Sequence, residues 1–280
     1  MDSANTSDFI TSATYIDPDK LANFLSNKKP YCLFLDIDGT LAEFTVDPKD
    51  SFIPTSTLDL RQAIQDYGVK VAVVTGRSLN EAKQMLSPLE VPIAATHGLQ
   101  LSWLNGNIVN INLAQLTQIK DTVTHCCLPY PDLYIENKPY SCTLHYRKNP
   151  TLADISYDLM SKAIANFDNW SVKQGKYVWE AIPKSVNKGL AILDLLQHIS
   201  LSEPLCPIFI GDDITDEAGF AAVQNVSIGL DSDYKSKKLL TGMGIKVGNE
   251  ATCANYYVQD IDEVRDLLHS FLKIAMSDSL

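Results

Sequence analysis

Asp36 and Asp38 stand two residues apart in Asp36-Ile-Asp38-Gly-Thr40-Leu, directly after the apolar run Tyr31-Cys-Leu-Phe-Leu35. A parallel strand presents ligand-binding groups at its carboxyl end, and two carboxylates at this spacing can both reach one phosphoryl group. Asp-Gly alone is an ordinary turn dipeptide; Asp-x-Asp-Gly-Thr after a strand is the more specific pattern. A second acidic group, Gly211-Asp212-Asp213-Ile-Thr-Asp216-Glu217, follows the apolar run Pro207–Ile210. Carboxylates this dense repel one another unless a cation neutralises them, and Mg²⁺ prefers carboxylate oxygens, water and phosphate. Asp216 and Glu217 could equally decorate a helix N-terminus, where acids are favourable. Asp212, immediately after the strand, could not.

Two motifs lie between these groups: Thr75-Gly76-Arg77 after Val69–Val74, and Asn187-Lys188-Gly189 before a helical stretch. A hydroxyl with free backbone N–H groups, and a lysine ammonium, supply the donors and positive charge that a transferring phosphoryl group needs. Either motif alone reads as a turn or a solvated lysine. Their order along the chain, each at a strand end or helix start, favours the functional reading.

The elements that must position these residues alternate. Strands are expected at Tyr31–Leu35, Val69–Val74, Pro92–Ala95, Pro207–Ile210, Val226–Ile228 and Tyr256–Val258, and helices at Thr57–Tyr67, Leu79–Leu86, Leu190–His198, Asp216–Val223 and Ile261–Ile274. This rhythm implies an α/β fold, a doubly wound parallel sheet. From about Leu116 to Pro183 the pattern changes: Cys142–Tyr146 and Tyr177–Glu180 read as strands with mixed faces, and Leu152–Phe167 as an amphipathic helix. We expect a core of residues 26–115 and 185–280, an inserted α+β domain of residues 116–184, and a peripheral amino-terminal segment, residues 1–25.

The chain has 280 residues, 45% hydrophobic and 20% charged, with a net charge of −11. The length suits a main domain and a smaller one. The acidic balance disfavours nucleic-acid and anionic-membrane partners, and the apolar runs are far short of the roughly 20 residues that cross a bilayer. Met1–Ile10 lacks the basic start and apolar run of a secretory signal, so a cytoplasmic location is expected. The six cysteines lack zinc-type spacing, and reduced thiols follow.

Asp36-x-Asp38-Gly-Thr40, Thr75, Lys188 and Gly211-Asp212-Asp213-x-x-Asp216 resemble, in order, the four motifs of the haloacid dehalogenase superfamily. Asp213-Ile-Thr-Asp216-Glu217 with Phe220, Thr75-Gly-Arg77-Ser78, His97-Gly98, Leu144-His-Tyr-Arg147, and Gly175-Lys176-x-x-x-Glu180-x-x-Pro183 are similar to the trehalose-6-phosphate phosphatases of that superfamily. The resemblance runs from about Tyr31 to Phe220 and includes the insertion, which by analogy is a C2-type cap. Ala181-Ile182 depart from the pattern, since relatives often carry a basic residue before that proline.

The resemblance implies a phosphatase acting on trehalose 6-phosphate in trehalose biosynthesis. Asp36 would be the nucleophile and Asp38 the acid and base, with Thr75 and Lys188 on the phosphoryl oxygens. Mg²⁺ would be held by the Asp36 carboxylate, the Asp38 carbonyl and Asp212, with Asp213 or Asp216 in support. Gly76, Arg77, His97, Gly98, Arg147, Lys176 and Glu180 would bind substrate, and a functional link to a trehalose-6-phosphate synthase goes with that reading. On a strand, Lys176, Val178 and Glu180 would share one face. Other readings are a phosphatase for another sugar phosphate of the sucrose-phosphate or mannosyl-3-phosphoglycerate type, a silent sugar-phosphate sensor, and a phosphomutase that excludes water.

Overall fold

Tyr31–Leu35 (β2) is buried along its whole length, and its alternate residues enter different cores. Leu33 and Leu35 pack with Ile64, Leu267 and Phe271; Cys32 and Phe34 pack with Ile192, Leu195 and Phe220. Successive strand side chains point to opposite faces, so a strand apolar on both needs helices on both. Helices α1 (Thr55–Asp66), α2 (Leu79–Leu86) and α7 (Ile261–Asp278) supply the first face, and α5 (Lys188–Ile199) with α6 (Glu217–Gln224) the second. Each fully buried Leu, Ile or Phe contributes about 1.5–3 kcal/mol.

The computed structural model describes residues 13–25, 30–45, 50–103, 106–109, 113–137, 140–175, 177–184, 186–199, 205–224 and 242–278. The chain divides into two compact units, residues 1–108 with 187–280, and residues 109–186.

The first unit holds the main sheet. Its remaining strands are β1 (Thr14–Tyr15), β3 (Lys70–Val74), β4 (Ile93–Ala95), β5 (Gln100–Trp103), β6 (Gly106–Val109), β11 (Cys206–Gly211), β12 (Met243–Val247) and β13 (Tyr256–Val258). Among the described residues the order is β1-β13-β12-β11-β2-β3-β4-β5-β6. Pairing is parallel from β1 through β4 and antiparallel between β4 and β5. The chain builds outward from β2 in one direction and from β11 in the other, so the order reverses at this pair. Such a reversal opens a crevice at the carboxyl ends of the strands.

The sequence reading did not expect β1, β5, β6 or β12. The amino-terminal segment supplies, from Thr14, the edge strand β1, and it buries Ile16 and Leu21 in the first core. Strand β12 carries a lysine in its interior, which masks it in an apolar-run search. The strand expected at Val226–Ile228 lies outside the described residues.

The second unit has an antiparallel sheet of order β7 (Tyr134–Asn137), β8 (Cys142–His145), β10 (Val178–Pro183), β9 (Trp170–Gly175). Cys142, Leu144, Trp170 and Ala181 face α3 (Leu113–Cys127) and α4 (Ala153–Ile164) through Ile119, Val123 and Met160. Glu136, Thr143, Glu180 and Lys173 form one cross-strand row, and alternation places that row on the face away from these core residues. Gly175 to Glu180 is not one strand: β9 ends at Gly175, which pairs with Val178 across a two-residue turn containing Tyr177 at φ 61°. Lys176, expected to share a strand face with Val178 and Glu180, lies outside the described residues.

Candidate active site

Asp36 follows β2, and its backbone N–H donates to Ile210 O of β11 at 3.0 Å. The chain then turns back at once, with the N–H groups of Leu41 and Ala42 both donating to Ile37 O at 2.8 and 2.9 Å. Gly39 has φ +72°, and a Cβ there would collide with the Asp212 carboxylate. Glycine alone permits both that backbone and that approach. The two acidic motifs, 176 positions apart in Asp36 and Asp212, therefore meet across adjacent strands.

Lys188 is 2% exposed. Its Nζ lies 2.8 Å from Asp36 Oδ2 and 2.6 Å from Asp216 Oδ1. Burial opposes the ammonium, but Asp36 and Asp216 outweigh it and hold its pKa above the ordinary lysine value. Removing this lysine would leave two buried carboxyls uncompensated, a change that costs about 3–5 kcal/mol in comparable cases.

Asp216 is fully buried. Its Oδ2 accepts the N–H groups of Asp212 and Asp213, each at 2.9 Å. Asp213 Oδ1 accepts from the Thr215 N–H at 2.7 Å and hydroxyl at 2.6 Å. Against burial, those bonds and Lys188 lower the Asp213 pKa. Asp213 caps the turn that Asp216 braces from inside.

Two carboxylate atoms are left over. Asp36 Oδ1 and Asp212 Oδ1 are buried with no hydrogen-bond partner among the described residues. Burial pushes both carboxyls up, Asp212 to about 7. Oxygens of Asp36, Asp212 and Asp216 lie within 4.8 Å of one another. Unpaired buried carboxylate oxygens are expensive, and an all-oxygen cluster fits a hard divalent cation of the Mg²⁺ type.

Asp36, Asp38, Gly76, Arg77, His97, Lys188, Asp212 and Asp213 line one cavity of about 310 Å³. Arg77 grips Asp38 at two points, Nε to Oδ2 at 2.8 Å and Nη2 to Oδ1 at 2.6 Å. Thr96 and His97 both adopt left-handed backbone conformations, φ 49° and 56°, and a Cβ on Gly76 would come within 2.7 Å of the His97 ring. Strain of this kind clusters at functional sites. Thr75 is fully buried; its N–H donates to Ala94 O and its Oγ1 accepts the Arg77 N–H. The loop amides of Thr75 and Arg77 are therefore engaged within the fold instead of free. Gly98, the residue after His97, sits where a Cβ would meet Ala191 at 2.8 Å, which makes it a packing position against α5.

In the second unit, Glu180 Oε1 accepts from the hydroxyls of Ser141 at 2.6 Å and Thr143 at 3.1 Å. Glu136 and His145 pair at 2.9 Å on the same face. Arg147 is exposed in the turn after β8. The sequence reading did not single out Ser141, Thr143, Glu136 or His145; two hydroxyls spaced two residues apart were the signal for the first two.

The family model for trehalose-phosphatase matches residues 34–262. The chain belongs to that family. It is 30% identical over 237 residues to the trehalose-6-phosphate phosphatase of Escherichia coli, with 84% of each chain covered, and 31% identical to a probable trehalose-phosphate phosphatase of Sinorhizobium fredii, covering 77% of this chain and 82% of the relative. Its fold matches the trehalose-6-phosphate phosphatase of Aspergillus fumigatus with a TM-score of 0.72 at 19% identity, covering 93% and 99% of the two chains. A haloacid dehalogenase-like hydrolase of Bacteroides thetaiotaomicron gives 0.60 at 18% identity, covering 88% of this chain and all of that one. The fold is thus of the haloacid dehalogenase type, with the second unit inserted in the chain of the first. Every acidic motif residue named above falls inside the matched span.

Proposed function

We propose that this chain hydrolyses trehalose 6-phosphate to trehalose and inorganic phosphate through a phosphoryl group carried on Asp36. The observation that carries this reading is the buried Asp36–Lys188–Asp216 network, in which one carboxylate oxygen of Asp36 is held and the other is unpartnered. Asp36 attacks phosphorus in line, the phosphorus–oxygen bond to the sugar breaks, and the sugar oxygen takes a proton from Asp38. Water then attacks the aspartyl phosphate, giving its proton to Asp38 and releasing phosphate. Lys188 and the Thr75 hydroxyl hold phosphoryl oxygens.

Asp36 and Asp212 would hold a Mg²⁺ ion with the Asp38 carbonyl, while Asp216 and Asp213 position the turn. Such an ion neutralises the charge between an anionic nucleophile and an anionic substrate. Phosphate monoesters are among the slowest substrates to hydrolyse unaided, so carboxylate attack, protonation and charge neutralisation must act together. A silent sugar-phosphate sensor would have no use for all of Asp36, Asp38, Lys188 and Asp212.

Discrimination between sugars falls to the second unit, where Glu180 and Arg147 offer charged partners to hydroxyls. Supply by a trehalose-6-phosphate synthase goes with this substrate. A cytoplasmic location accords with six free cysteines; among the described residues no helix is long and apolar enough to cross a membrane.

Phosphate release across trehalose 6-phosphate, sucrose 6-phosphate, glucose 6-phosphate and mannosyl-3-phosphoglycerate tests the reading. Trehalose 6-phosphate is expected to give the highest kcat/KM. A clear preference for another member would transfer the proposal to that sugar.

A further inference from the structure

Lys246 lies on β12 and is 5% exposed. Its Nζ donates to the main-chain carbonyl oxygen of Asp212. Glu250 Oε2 stands 3.5 Å from the same nitrogen, but that glutamate side chain is 72% exposed, and an exposed ion pair contributes little. Strand β12 runs parallel to β11 with Lys246 opposite Gly211, level with the last residue before the acidic turn. Burying an ammonium is expensive, and an apolar side chain would fill the same space without that cost. The charge-assisted bond to the Asp212 carbonyl is what the lysine gains there.

The Asp212 backbone is thereby held from both sides. Its N–H donates to Asp216 Oδ2 at 2.9 Å, and its carbonyl accepts from Lys246. The side chain remains, with Oδ1 buried and unpartnered, turned toward Asp36 and Asp216. A carboxylate presented from an immobilised backbone is preorganised for a ligand.

We propose that Lys246 is a positioning residue for the cation site: it fixes the Asp212 peptide so that the Asp212 carboxylate meets the ion together with Asp36. The inference rests on the cation-site reading above. It predicts an effect opposite in sign to that of its charge. Deleting a positive charge near a cation site should by itself tighten cation binding, because like charges repel. Deleting a positioning contact should weaken it, by about tenfold or more as for other residues that orient ligands.

The test is calorimetric titration of Mg²⁺ into metal-free protein without substrate. Wild-type protein is expected to bind, Lys246→Met to bind at least about tenfold more weakly, and Lys246→Arg and Glu250→Ala to stay near wild type. If wild type binds and Lys246→Met binds equally or more tightly, the Lys246 proposal is overturned. If wild type binds no Mg²⁺, the cation site itself falls. Circular dichroism in chelator checks folding. Should Lys246→Met not fold, Lys246→Gln, with a shorter donor, is expected to fold and to weaken binding. If neither neutral variant folds, the residue belongs to the architecture and the proposal is wrong.

Discussion

Both carboxylate oxygens of Asp38 accept from the Arg77 guanidinium, at 2.8 and 2.6 Å. The hydrogen bond to Asp38 is also the largest influence on Arg77, raising its pKa. An acid gripped in this way is oriented, but it must be loosened before it can protonate a sugar oxygen. Arg77 stands in the loop that also carries Thr75, so an arriving phosphoryl group is the natural competitor for the guanidinium.

Arg77→Met should therefore lower kcat/KM for trehalose 6-phosphate by roughly 10- to 100-fold, the worth of about 1.5–3 kcal/mol of charged hydrogen bond. The loss on 4-nitrophenyl phosphate, whose leaving group needs no proton, should be smaller. Equal losses on both substrates would assign Arg77 to phosphate binding alone.

The carboxyl cluster predicts an unusual pH dependence of stability. Unfolded, Asp212 ionises near pH 4; folded, burial raises it to about 7, and burial shifts Asp36 in the same direction. Between those values the folded protein binds more protons than the unfolded chain, so this contribution is full below about pH 4 and is lost as pH rises through about 7. Metal-free protein should lose Tm from about pH 5 to about 8, and Asp212→Asn should lose less. Mg²⁺ should restore most of the difference at the higher pH. If Asp212→Asn in chelator shows the wild-type pH profile, the cluster is not its source.

Ca²⁺ should inhibit by competing with Mg²⁺. Its larger radius and looser coordination hold the attacking and accepting oxygens at the wrong separation. Turnover with Ca²⁺ alone at the Mg²⁺ rate would contradict the requirement for an ion of Mg²⁺ size.

Glu180 is held by Ser141 and Thr143 on the polar face of the second unit. Glu180→Ala should reduce kcat/KM for trehalose 6-phosphate about tenfold or more, at about 1.5–3 kcal/mol per charged hydrogen bond lost, and leave 4-nitrophenyl phosphate hydrolysis nearly unchanged. Thr143→Val should show the same split, more weakly. Parallel losses on the two substrates would make Glu180 a structural residue.

The core of the site was legible because it sits at abrupt changes of polarity: Leu35 to Asp36, Val74 to Thr75, Ile210 to Asp212. Buried parallel strands leave continuous apolar runs, and an acid at the end of one stands out. Strand β12 stayed hidden because Lys246 interrupts its run, and the lysine's use depends on a neighbouring strand that sequence spacing cannot place. Likewise β7 and β9 are half-exposed strands of mixed composition, and the turn at Tyr177 has neither glycine nor proline at its left-handed position to announce it. The division of labour among Asp212, Asp213 and Asp216 was illegible for another reason. All three are aspartates in one short turn, and only hydrogen-bond geometry shows that Asp216 braces, Asp213 caps and Asp212 keeps an oxygen free.

The central claim is that Asp36 carries the phosphoryl group. Rapid acid quench during turnover of trehalose 6-phosphate, followed by borohydride reduction and peptide mass spectrometry, reads this directly, because an aspartyl phosphate is reduced to homoserine. Homoserine is predicted at position 36, dependent on substrate, and absent in Asp36→Asn. A well-folded Asp36→Asn protein that still turns over, or homoserine at another aspartate in its place, would contradict the account.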